Sequence, residues 1–476
     1  MRSAITQTEL QLHRRYRQLR NLWQNEGTQA LTSRLRKAAA DWFAPRTAIP
    51  LVRSADVMAV DLSRPFQPAI PAIVPGQPLI ANWVTTPPSP GSGGHTTLFR
   101  IIRYLEAHGY RNRVYFYDVY GGDHQYYESV VRSYYNFHGP VANVDIGMED
   151  AHIVVATGWP TAYPVFNSRC AGKRFYFVQD FEPYFYPVGD TSALAETTYR
   201  MGFHGINIGK CFADKLRTEF GMTVDTFSYG CDISQYRRSP ASPRSGIVFY
   251  ARRESARRGF ELGLMALEAF AARNPGIEIH IYGDKLGRLP FPFIDHGHVT
   301  PEQLNGIYNQ CFAGLSLSFT NVSLVALEML AAGCIPVVND TIQVRTDLDN
   351  AFVFYAPPYP QALAAQLESI VTTHDFDSLS TSAAASVHSI TWDEAGTTVD
   401  AILHRVLQES VHPLTTKDSV KILPLDVPSS LWPYPADGLS IDRIIIGRIG
   451  DIDRSRREDC NSAQSCQDSE AHKGDV

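Results

Sequence analysis

The stretch 316–338, SLSFTNVSLVALEMLAAGCIPVV, constrains the fold more than any other part of this 476-residue chain. The apolar run 313–319 is typical of a buried strand end, and 322–332 carries apolar residues at helical spacing. Gly333 marks the end of that helix, and 335–338 begins another buried strand. This order of strand, loop, helix, glycine and strand is the repeating unit of a parallel α/β sheet, which binds ligands at the carboxyl ends of its strands. The sequence therefore predicts a ligand-facing loop just before the helix.

The predicted helix begins at that carboxyl edge, where its unpaired N–H groups and partial positive charge suit a phosphate. Glu328 is an acid within this otherwise apolar helix. Two interpretations stay open: a surface residue on a half-exposed face, or a carboxylate that binds ligand hydroxyl groups.

The same stretch resembles the donor-site signature of family-4-type glycosyltransferases with the GT-B fold, E-x-F-G-x-x-x-L-E-A-x-A-x-G-x-P-V-V. Leu327-Glu328 and the Gly-Cys-Ile-Pro turn match, whereas Thr320 stands where the signature has its first acid. A second stretch, 177–189 (FVQDFEPYFYPVG), resembles the rhamnosyltransferases typified by WsaF, which build bacterial surface glycans. The resemblance covers roughly residues 79 to 408. It implies an α/β chain with two Rossmann-like, doubly wound domains that face each other across a cleft.

The length of the chain suits two α/β domains with extensions. The predicted order is a basic amphipathic helical extension with a Pro-rich linker (1–78), an N-terminal acceptor domain (79–238), a C-terminal nucleotide-sugar donor domain (239–390), a helix returning to the N-terminal domain (391–411), and a polar tail (412–476).

Composition excludes several other classes of protein. A formal net charge of −6 argues against bulk nucleic-acid binding. The seven cysteines lack paired spacing in the body of the chain, which predicts reduced thiols in a cytoplasmic protein. There is no run of about eighteen apolar residues that could span a membrane, and 1–27 is Arg-rich without the apolar core of a signal peptide.

The N-terminal 43 residues predict an amphipathic basic helix. Leu12, Tyr16, Leu19 and Trp23 recur three or four residues apart, with arginines between them. This helix either packs on protein or attaches peripherally to an anionic membrane surface, at the inner face of the cytoplasmic membrane.

The first predicted strand of the N-terminal domain, 79–84, is followed by the loop Gly91-Ser-Gly-Gly-His95 and a helix at 97–108. A Gly-rich loop between strand and helix lets the backbone approach a ligand closely. The resemblance implies that this loop faces the cleft, with Gly93 and Gly94 on the donor side and His95 on the acceptor side. A plain tight turn is the alternative.

A later predicted strand, 175–178, leads into Gln179, Asp180, Glu182 and Tyr184. Aromatic rings cover the C–H faces of sugars while carboxylates accept from their hydroxyl groups, so these four residues predict an acceptor-binding site. The alternative is an aromatic loop packed into its own domain. Between these segments, 114–119 is predicted as a further strand.

In the second domain, Arg252 and Arg258 bracket a strand–helix loop and predict a clamp for a diphosphate, because the guanidinium fork pairs with two phosphate oxygens at once. A solvated basic loop is the alternative. The resemblance adds further donor-binding positions. These are Gly283 at the edge of its strand, His298 and Val299 beside the base, and Thr320, Asn321, Val322, Ser323, Leu324 and Glu328 around the sugar, the diphosphate and the ribose. The segment 340–350 is predicted as a loop that reaches the cleft.

These features together predict a glycosyltransferase that needs neither a bound cofactor nor a metal, with Asp180, Arg252 and Arg258 as its catalytic residues. The arginines would stabilise the negative charge that gathers on the leaving diphosphate. Asp-x-Asp triplets begin at Asp347, Asp375 and Asp451, but none follows a strand of the first domain, where a metal-using transferase keeps one.

The resemblance implies transfer of L-rhamnose from dTDP-rhamnose to a growing cell-surface polysaccharide, on a glycan or lipid-linked acceptor, with retention of configuration. The alternatives are another hexose donor, a non-catalytic glycan- or nucleotide-binding relative, and an epimerase of the same fold.

Overall fold

The computed structural model of the chain describes residues 51–411 without 64–67, 241–242 and 323, together with single earlier residues (Tyr16, Arg17, Arg20, Thr28, Thr32, Leu35, Arg36, Ala39 and Trp42). Those earlier residues are helical and exposed. The remainder of the predicted N-terminal helix and the predicted tail 412–476 lie outside the described residues.

The first sheet is formed, within the described residues, by seven parallel strands in the order β3-β2-β1-β4-β5-β6-β7. Reversal of strand order beside β1 is the mark of a doubly wound Rossmann-like sheet. The strands are β1 (Leu79–Thr85), β2 (Tyr110–Phe116), β3 (Val141–Asn143), β4 (Ile153–Ala156), β5 (Lys173–Val178), β6 (His204–Ile208) and β7 (Val224–Phe227).

Helices connect these strands and cover both faces of the sheet, so the strands are apolar along nearly their whole length. The helices of this half are α1 (Ser54–Met58), α2 (Gly93–Ala107), α3 (His124–Ser133), α4 (Trp159–Asn167), α5 (Asp190–Thr198) and α6 (Ala213–Phe220).

The second sheet has six parallel strands among the residues that the structure describes, in the order β10-β9-β8-β11-β12-β13. It repeats the strand order of the first sheet, which confirms the prediction of two Rossmann-like domains. Its strands are β8 (Gly246–Ala251), β9 (Glu278–Gly283), β10 (Ile294–Gly297), β11 (Cys311–Leu315), β12 (Ile335–Asn339) and β13 (Phe354–Ala356). Its helices are α7 (Phe260–Arg273), α8 (Pro301–Gln310), α9 (Leu324–Ala331), α10 (Ile342–Asp347), α11 (Pro360–Val371) and α12 (Phe376–Ala385).

The last described helix, α13 (Trp392–Val411), follows the second sheet but packs on the first domain. The Tyr104 hydroxyl lies 2.7 Å from the Thr397 hydroxyl, and the Tyr110 hydroxyl donates to Asp400 at 2.6 Å. Gly396 leaves no room for a side chain, because a Cβ there would lie 2.2 Å from the Tyr104 ring. The helix therefore links the two halves of the chain.

Three predicted boundaries need correction. Helix α2 begins at Gly93 rather than at 97, because the Ser92 side chain caps it by accepting from the His95 N–H. Strand β2 runs from Tyr110 to Phe116 instead of 114–119. The predicted loop 340–350 contains helix α10, whose start is capped by Thr341.

Two further features bear on predictions from composition. The described cysteines are unpaired, and all but Cys211 are buried. In the part of the chain that the structure covers, no helix combines the length and hydropathy needed to cross a bilayer.

Candidate active site

The loop after β5 in the first domain meets the loop after β11 in the second domain at Asp180. This residue is 3% exposed. Its Oδ2 accepts from the Thr320 hydroxyl at 2.7 Å, and its Oδ1 accepts from the backbone N–H groups of Phe181 at 2.8 Å and Asn321 at 3.2 Å. The Asn321 amide also donates to the Gln179 carbonyl at 2.7 Å. The carboxyl ends of the two sheets therefore meet at residues that the sequence predicted for opposite sides of the cleft.

Hydrogen bonds from neighbouring strands fix the loop that carries Thr320. Asn339, at the end of β12, accepts from the Ser318 N–H and donates to its carbonyl, both at 2.7 Å. The Phe319 N–H donates to the Arg257 carbonyl at 2.9 Å. Two segments of the second domain are thus tied together beside Asp180.

Two adjacent arginines face this junction. Arg258 donates to the Ser318 hydroxyl at 2.8 Å and to the Asn321 side-chain oxygen at 3.3 Å. Arg257 lies 3.6 Å from Asp180 Oδ2, and its guanidinium stands 4.5 Å from the centre of the Phe185 ring. Burial, together with the neighbouring Arg257, lowers the pKa of Arg258 to about 10, so Arg258 is a cation at neutral pH.

The turn that presents these arginines depends on Gly259. Residues Ala256–Arg258 form a short 3₁₀ helix, and Gly259 follows with φ of +61° in the left-handed region. A Cβ at this position would also lie 3.0 Å from Leu317 and Phe319. The turn aims Arg257 and Arg258 at the junction, whereas Arg252, before the turn, is exposed and forms no side-chain hydrogen bond or ion pair with any described residue.

Desolvation and hydrogen bonding act in opposite directions on Asp180. Burial raises the pKa of its carboxyl group above the usual range, while Arg257, the Thr320 hydroxyl and Arg258 favour the ionised form. A buried carboxylate with this many donors is stabilised by its partners and not by water.

Glu328 lies on α9 and is hydrogen-bonded to Tyr308. Burial raises its pKa to about 7, and Arg100 of the first domain opposes that shift. Arg100 forms an ion pair with Asp232 at 3.2 Å and stacks on Trp392. Glu328 is therefore partly buried in a polar environment, and its role as a ligand-binding carboxylate stays a prediction.

The Gly-rich loop of the first domain reaches the junction through Gly94. A Cβ at Gly94 would lie 3.6 Å from the Gln179 amide, so these two predicted residues are neighbours, while Gly93 faces open space. His95 is differently engaged: its ring nitrogens lie 2.9 Å from the Ser92 hydroxyl and 3.1 Å from the Thr86 carbonyl. Burial lowers the pKa of His95 and so favours the neutral ring, whose two contacts hold the loop in place.

Glu182 and Tyr184 occupy different environments within the first domain. Glu182 is buried and accepts from the Trp159 N–H at 2.6 Å, at the start of α4, and burial raises its pKa to about 8. Tyr184 is half exposed and packs edge-on against Phe181 and Phe212. Of the two, Tyr184 is the side chain that solvent reaches.

Residues 245–368, which include the second sheet, match the family model described as WsaF, C-terminal domain. The second domain of this chain is therefore similar to that of WsaF, and the chain has the GT-B fold. It is 33% identical over 280 residues to the O-antigen biosynthesis protein RfbC of Myxococcus xanthus, an alignment that covers 56% of this chain and 21% of RfbC. The chain therefore spans about a fifth of the length of that relative.

Two solved structures share the fold of this chain. HepE of Anabaena in complex with UDP superposes with a TM-score of 0.55 at 15% identity, over 69% of this chain and 100% of HepE. Sucrose-phosphate synthase from Thermosynechococcus elongatus gives a TM-score of 0.54 at 12% identity, over 69% of this chain and 99% of that enzyme. At these identities the likeness concerns the fold.

The remaining predicted donor residues lie around the edge of the second sheet. Gly283 ends β9 with φ of +107°, and a Cβ there would lie 2.3 Å from the Ala251 carbonyl. His298 and Val299 follow β10 and line a separate cavity of about 290 Å³. Val322 is buried in the core, Leu324 is the first residue of α9, and Ser323 lies outside the described residues. Val322 can therefore contribute only its backbone to a ligand.

A second contact between the domains joins α10 to the first domain. Asp347 accepts from the backbone N–H groups of Lys210 at 2.5 Å and Cys211 at 3.0 Å, just before α6. Gly209 permits this approach, because a Cβ there would lie 2.4 Å from the Asp347 carboxylate. No sequence pattern indicated this contact, since Asp347 and Lys210 are 137 residues apart.

Proposed function

We propose that this chain is a nucleotide-sugar glycosyltransferase of surface-polysaccharide biosynthesis. The observation that carries the proposal is the convergence of Arg257, Arg258, the Asn321 backbone N–H and the Asp180 carboxylate where the two sheets meet. Cations and an N–H group before a helix suit the diphosphate of a donor, and a carboxylate suits a sugar or acceptor hydroxyl group. Similarity to the O-antigen biosynthesis protein RfbC supports the same pathway class.

The proposed chemistry is charge stabilisation without a bound cofactor or metal. As the glycosidic bond breaks, negative charge develops on the leaving diphosphate. The turn before Gly259 directs Arg257 and Arg258 to the junction where we propose that the diphosphate binds, so little reorganisation would be needed during the reaction. Retention of configuration, metal independence and a catalytic role for Arg252 stay predictions from the sequence.

For the donor we propose dTDP-L-rhamnose, on the similarity of the second domain to that of WsaF. Mannose, glucose and N-acetylglucosamine are the competing sugars. HepE was solved with UDP, so UDP-sugars belong in the same comparison. The proposed acceptor is a glycan or lipid-linked glycan, with Gln179, Asp180, Glu182, Tyr184 and His95 on its side of the cleft.

A thermal-shift screen of dTDP, UDP, GDP and their sugar conjugates tests the donor class. A ligand that binds the folded state stabilises it by RT ln(1 + [L]/Kd), so the cognate nucleotide raises the melting temperature most. Transfer assays with the best donor, with and without EDTA, then test catalysis and metal independence. Absence of stabilisation by any nucleotide would contradict the proposal.

The alternative is a non-catalytic relative that binds a nucleotide or glycan, which Thr320 at the acidic position of the signature makes worth testing. Nucleotide binding without transfer or donor hydrolysis supports it, and any measurable sugar transfer excludes it. We place the enzyme in the cytoplasm, peripherally at the membrane through its basic N-terminal helix, as a proposal from the sequence.

A further inference from the structure

Asp180 has little hydrogen-bonding capacity left for a substrate. Its Oδ1 accepts from two backbone N–H groups and its Oδ2 from the Thr320 hydroxyl, with Arg257 3.6 Å away. The side chain is almost fully shielded from solvent. In this state an acceptor hydroxyl group does not reach the carboxylate, because the side chain is 3% exposed and three of its roughly four acceptor sites are already occupied.

The groups that surround Asp180 are those that attract a phosphate. The Asn321 N–H lies in the loop before α9, and Arg257 and Arg258 are adjacent cations. Among the described residues, Arg257 Nη1 is buried without a hydrogen-bond acceptor. Burial of a guanidinium N–H group without an acceptor lowers the stability of the folded state. The site therefore suits an anion that comes closer to Arg257 than the Asp180 carboxylate does.

We propose that the Asp180 carboxylate occupies the donor-diphosphate site as an internal substitute when no nucleotide is bound, and that donor binding displaces it. The inference rests on the proposed function and adds a consequence to it. Once displaced from Thr320 and Asn321, the carboxylate has free oxygens for the acceptor hydroxyl group. The acceptor site is therefore completed only after the donor binds, which gives donor-first binding order.

Electrostatics explains why the two anions exclude each other. The diphosphate and the carboxylate would share the same two cations within a poorly solvated site, where like charges repel more strongly than in water. The diphosphate carries more charge and can bind each arginine through two oxygens, so it displaces the carboxylate. Because Asp180 must be displaced, the net affinity for the diphosphate is lower than its contacts with the arginines alone would give.

The test is the affinity of dTDP and UDP for the full chain and for Asp180→Asn, measured by titration calorimetry. Asparagine keeps the shape and can still accept from the Phe181 N–H, but it removes the competing charge. We expect roughly tenfold tighter nucleotide binding, as for the loss of one nearby like charge at an effective dielectric constant of about 20. Asp347→Asn is the matched control, because it removes another carboxylate that crosses between the domains, one whose hydrogen bonds go to the backbone of Lys210 and Cys211 and not to the residues around Arg257 and Arg258. Its nucleotide affinity should be unchanged.

Thr320→Val gives an independent variant that keeps the Asp180 charge but removes one bond that holds it in place. It should tighten nucleotide binding by roughly threefold, in line with loss of one hydrogen bond. Unchanged or weaker binding in the variants that fold overturns the proposal. Equal tightening by Asp347→Asn also overturns it, because domain opening would then explain the effect. If neither wild type nor Asp180→Asn binds any nucleotide, the proposed function fails; equal binding by both refutes only this inference.

Discussion

The hydroxyl group of Thr320, in the second domain, donates a hydrogen bond of 2.7 Å to the carboxylate of Asp180, in the first domain. Thr320 stands where the donor-site signature has an acid. The acid missing from the second domain is thus matched by a carboxylate that reaches the same point from the first domain. The carboxyl group at this point therefore belongs to the opposite half of the molecule from the half in which the signature places its acid.

This arrangement predicts that an acid at position 320 is harmful while Asp180 is present. Thr320→Glu would bury two carboxylates side by side, and unpaired buried charges cost about 3–5 kcal/mol. We expect a lower urea midpoint for Thr320→Glu and recovery of most of the loss in Thr320→Glu/Asp180→Ser. A double-mutant cycle measures the coupling. Additive effects of the two substitutions would contradict direct interaction between these positions.

The arginines of the second domain should differ in their effect on catalysis. Arg258→Ala removes a cation held at the junction. The resulting decrease in kcat should correspond to a loss of several kcal/mol of transition-state stabilisation. Arg257→Ala should act in the same direction. Arg252→Ala is the matched comparison, because its side chain is exposed and lies apart from these contacts. Steady-state kinetics with the cognate donor decides, and a loss for Arg252→Ala as large as that for Arg258→Ala would support the prediction from the sequence, which assigns both arginines to the clamp.

The N-terminal 43 residues should govern location and not chemistry. Their deletion should leave transfer to a soluble acceptor analogue unchanged but reduce co-sedimentation with vesicles that contain anionic lipid. Raising the salt concentration should imitate the deletion, because it screens the attraction between arginines and lipid head groups. Equal sedimentation of full-length and shortened protein would leave packing on protein as the role of this segment.

The alternation of buried strands and helices could be predicted, because each of these elements has its own local pattern of apolar residues. Each strand of a sheet covered on both faces is a short apolar run, and each helix of the second domain shows its own period. The details at element ends were less predictable. The Ser92 side chain caps α2 through one hydrogen bond, so the helix begins at Gly93. The spacing of apolar residues does not predict this start.

Individual residues of the site could be predicted from the sequence, but the contacts between them could not. Asp180 and Thr320 were each singled out, yet they are 140 residues apart and belong to separate domains, so no pattern joined them. Arg257 was not predicted, because the two clamp positions in this arginine-rich segment were assigned by their match to the family pattern, which selected Arg252 and Arg258. Its orientation depends on the left-handed backbone of Gly259, and the Arg-Arg-Gly sequence was the signal that could have indicated it.

Glu328 should affect nucleotide binding in a pH-dependent way. Its pKa is raised to about 7, so the carboxyl group is largely ionised at pH 8 and largely neutral at pH 6. Because a bond to a charged group contributes about 1.5–3 kcal/mol, Glu328→Gln should weaken nucleotide binding by about that amount at pH 8 and by less at pH 6. Glu268→Gln, an exposed position on α7, is the control at both pH values. Equal affinity of wild type and Glu328→Gln at pH 8 would return Glu328 to the surface-helix interpretation.

Glu182 should make the stability of the folded chain fall as pH rises. Burial raises its pKa from the usual 4.5 to about 8, so the folded state holds a proton that the unfolded chain has lost. The stabilisation is complete below about pH 4.5 and is lost as the pH rises through about 8, with a slope of at most about 1.4 kcal/mol per pH unit for one proton. Glu182→Gln cannot ionise and can still accept from the Trp159 N–H, so its urea midpoint should decline less between pH 5 and 8 than that of the wild type. Glu302→Gln, an exposed acid on α8, should follow the wild-type curve. Parallel curves for wild type and Glu182→Gln would show that Glu182 is ionised in the folded protein at neutral pH.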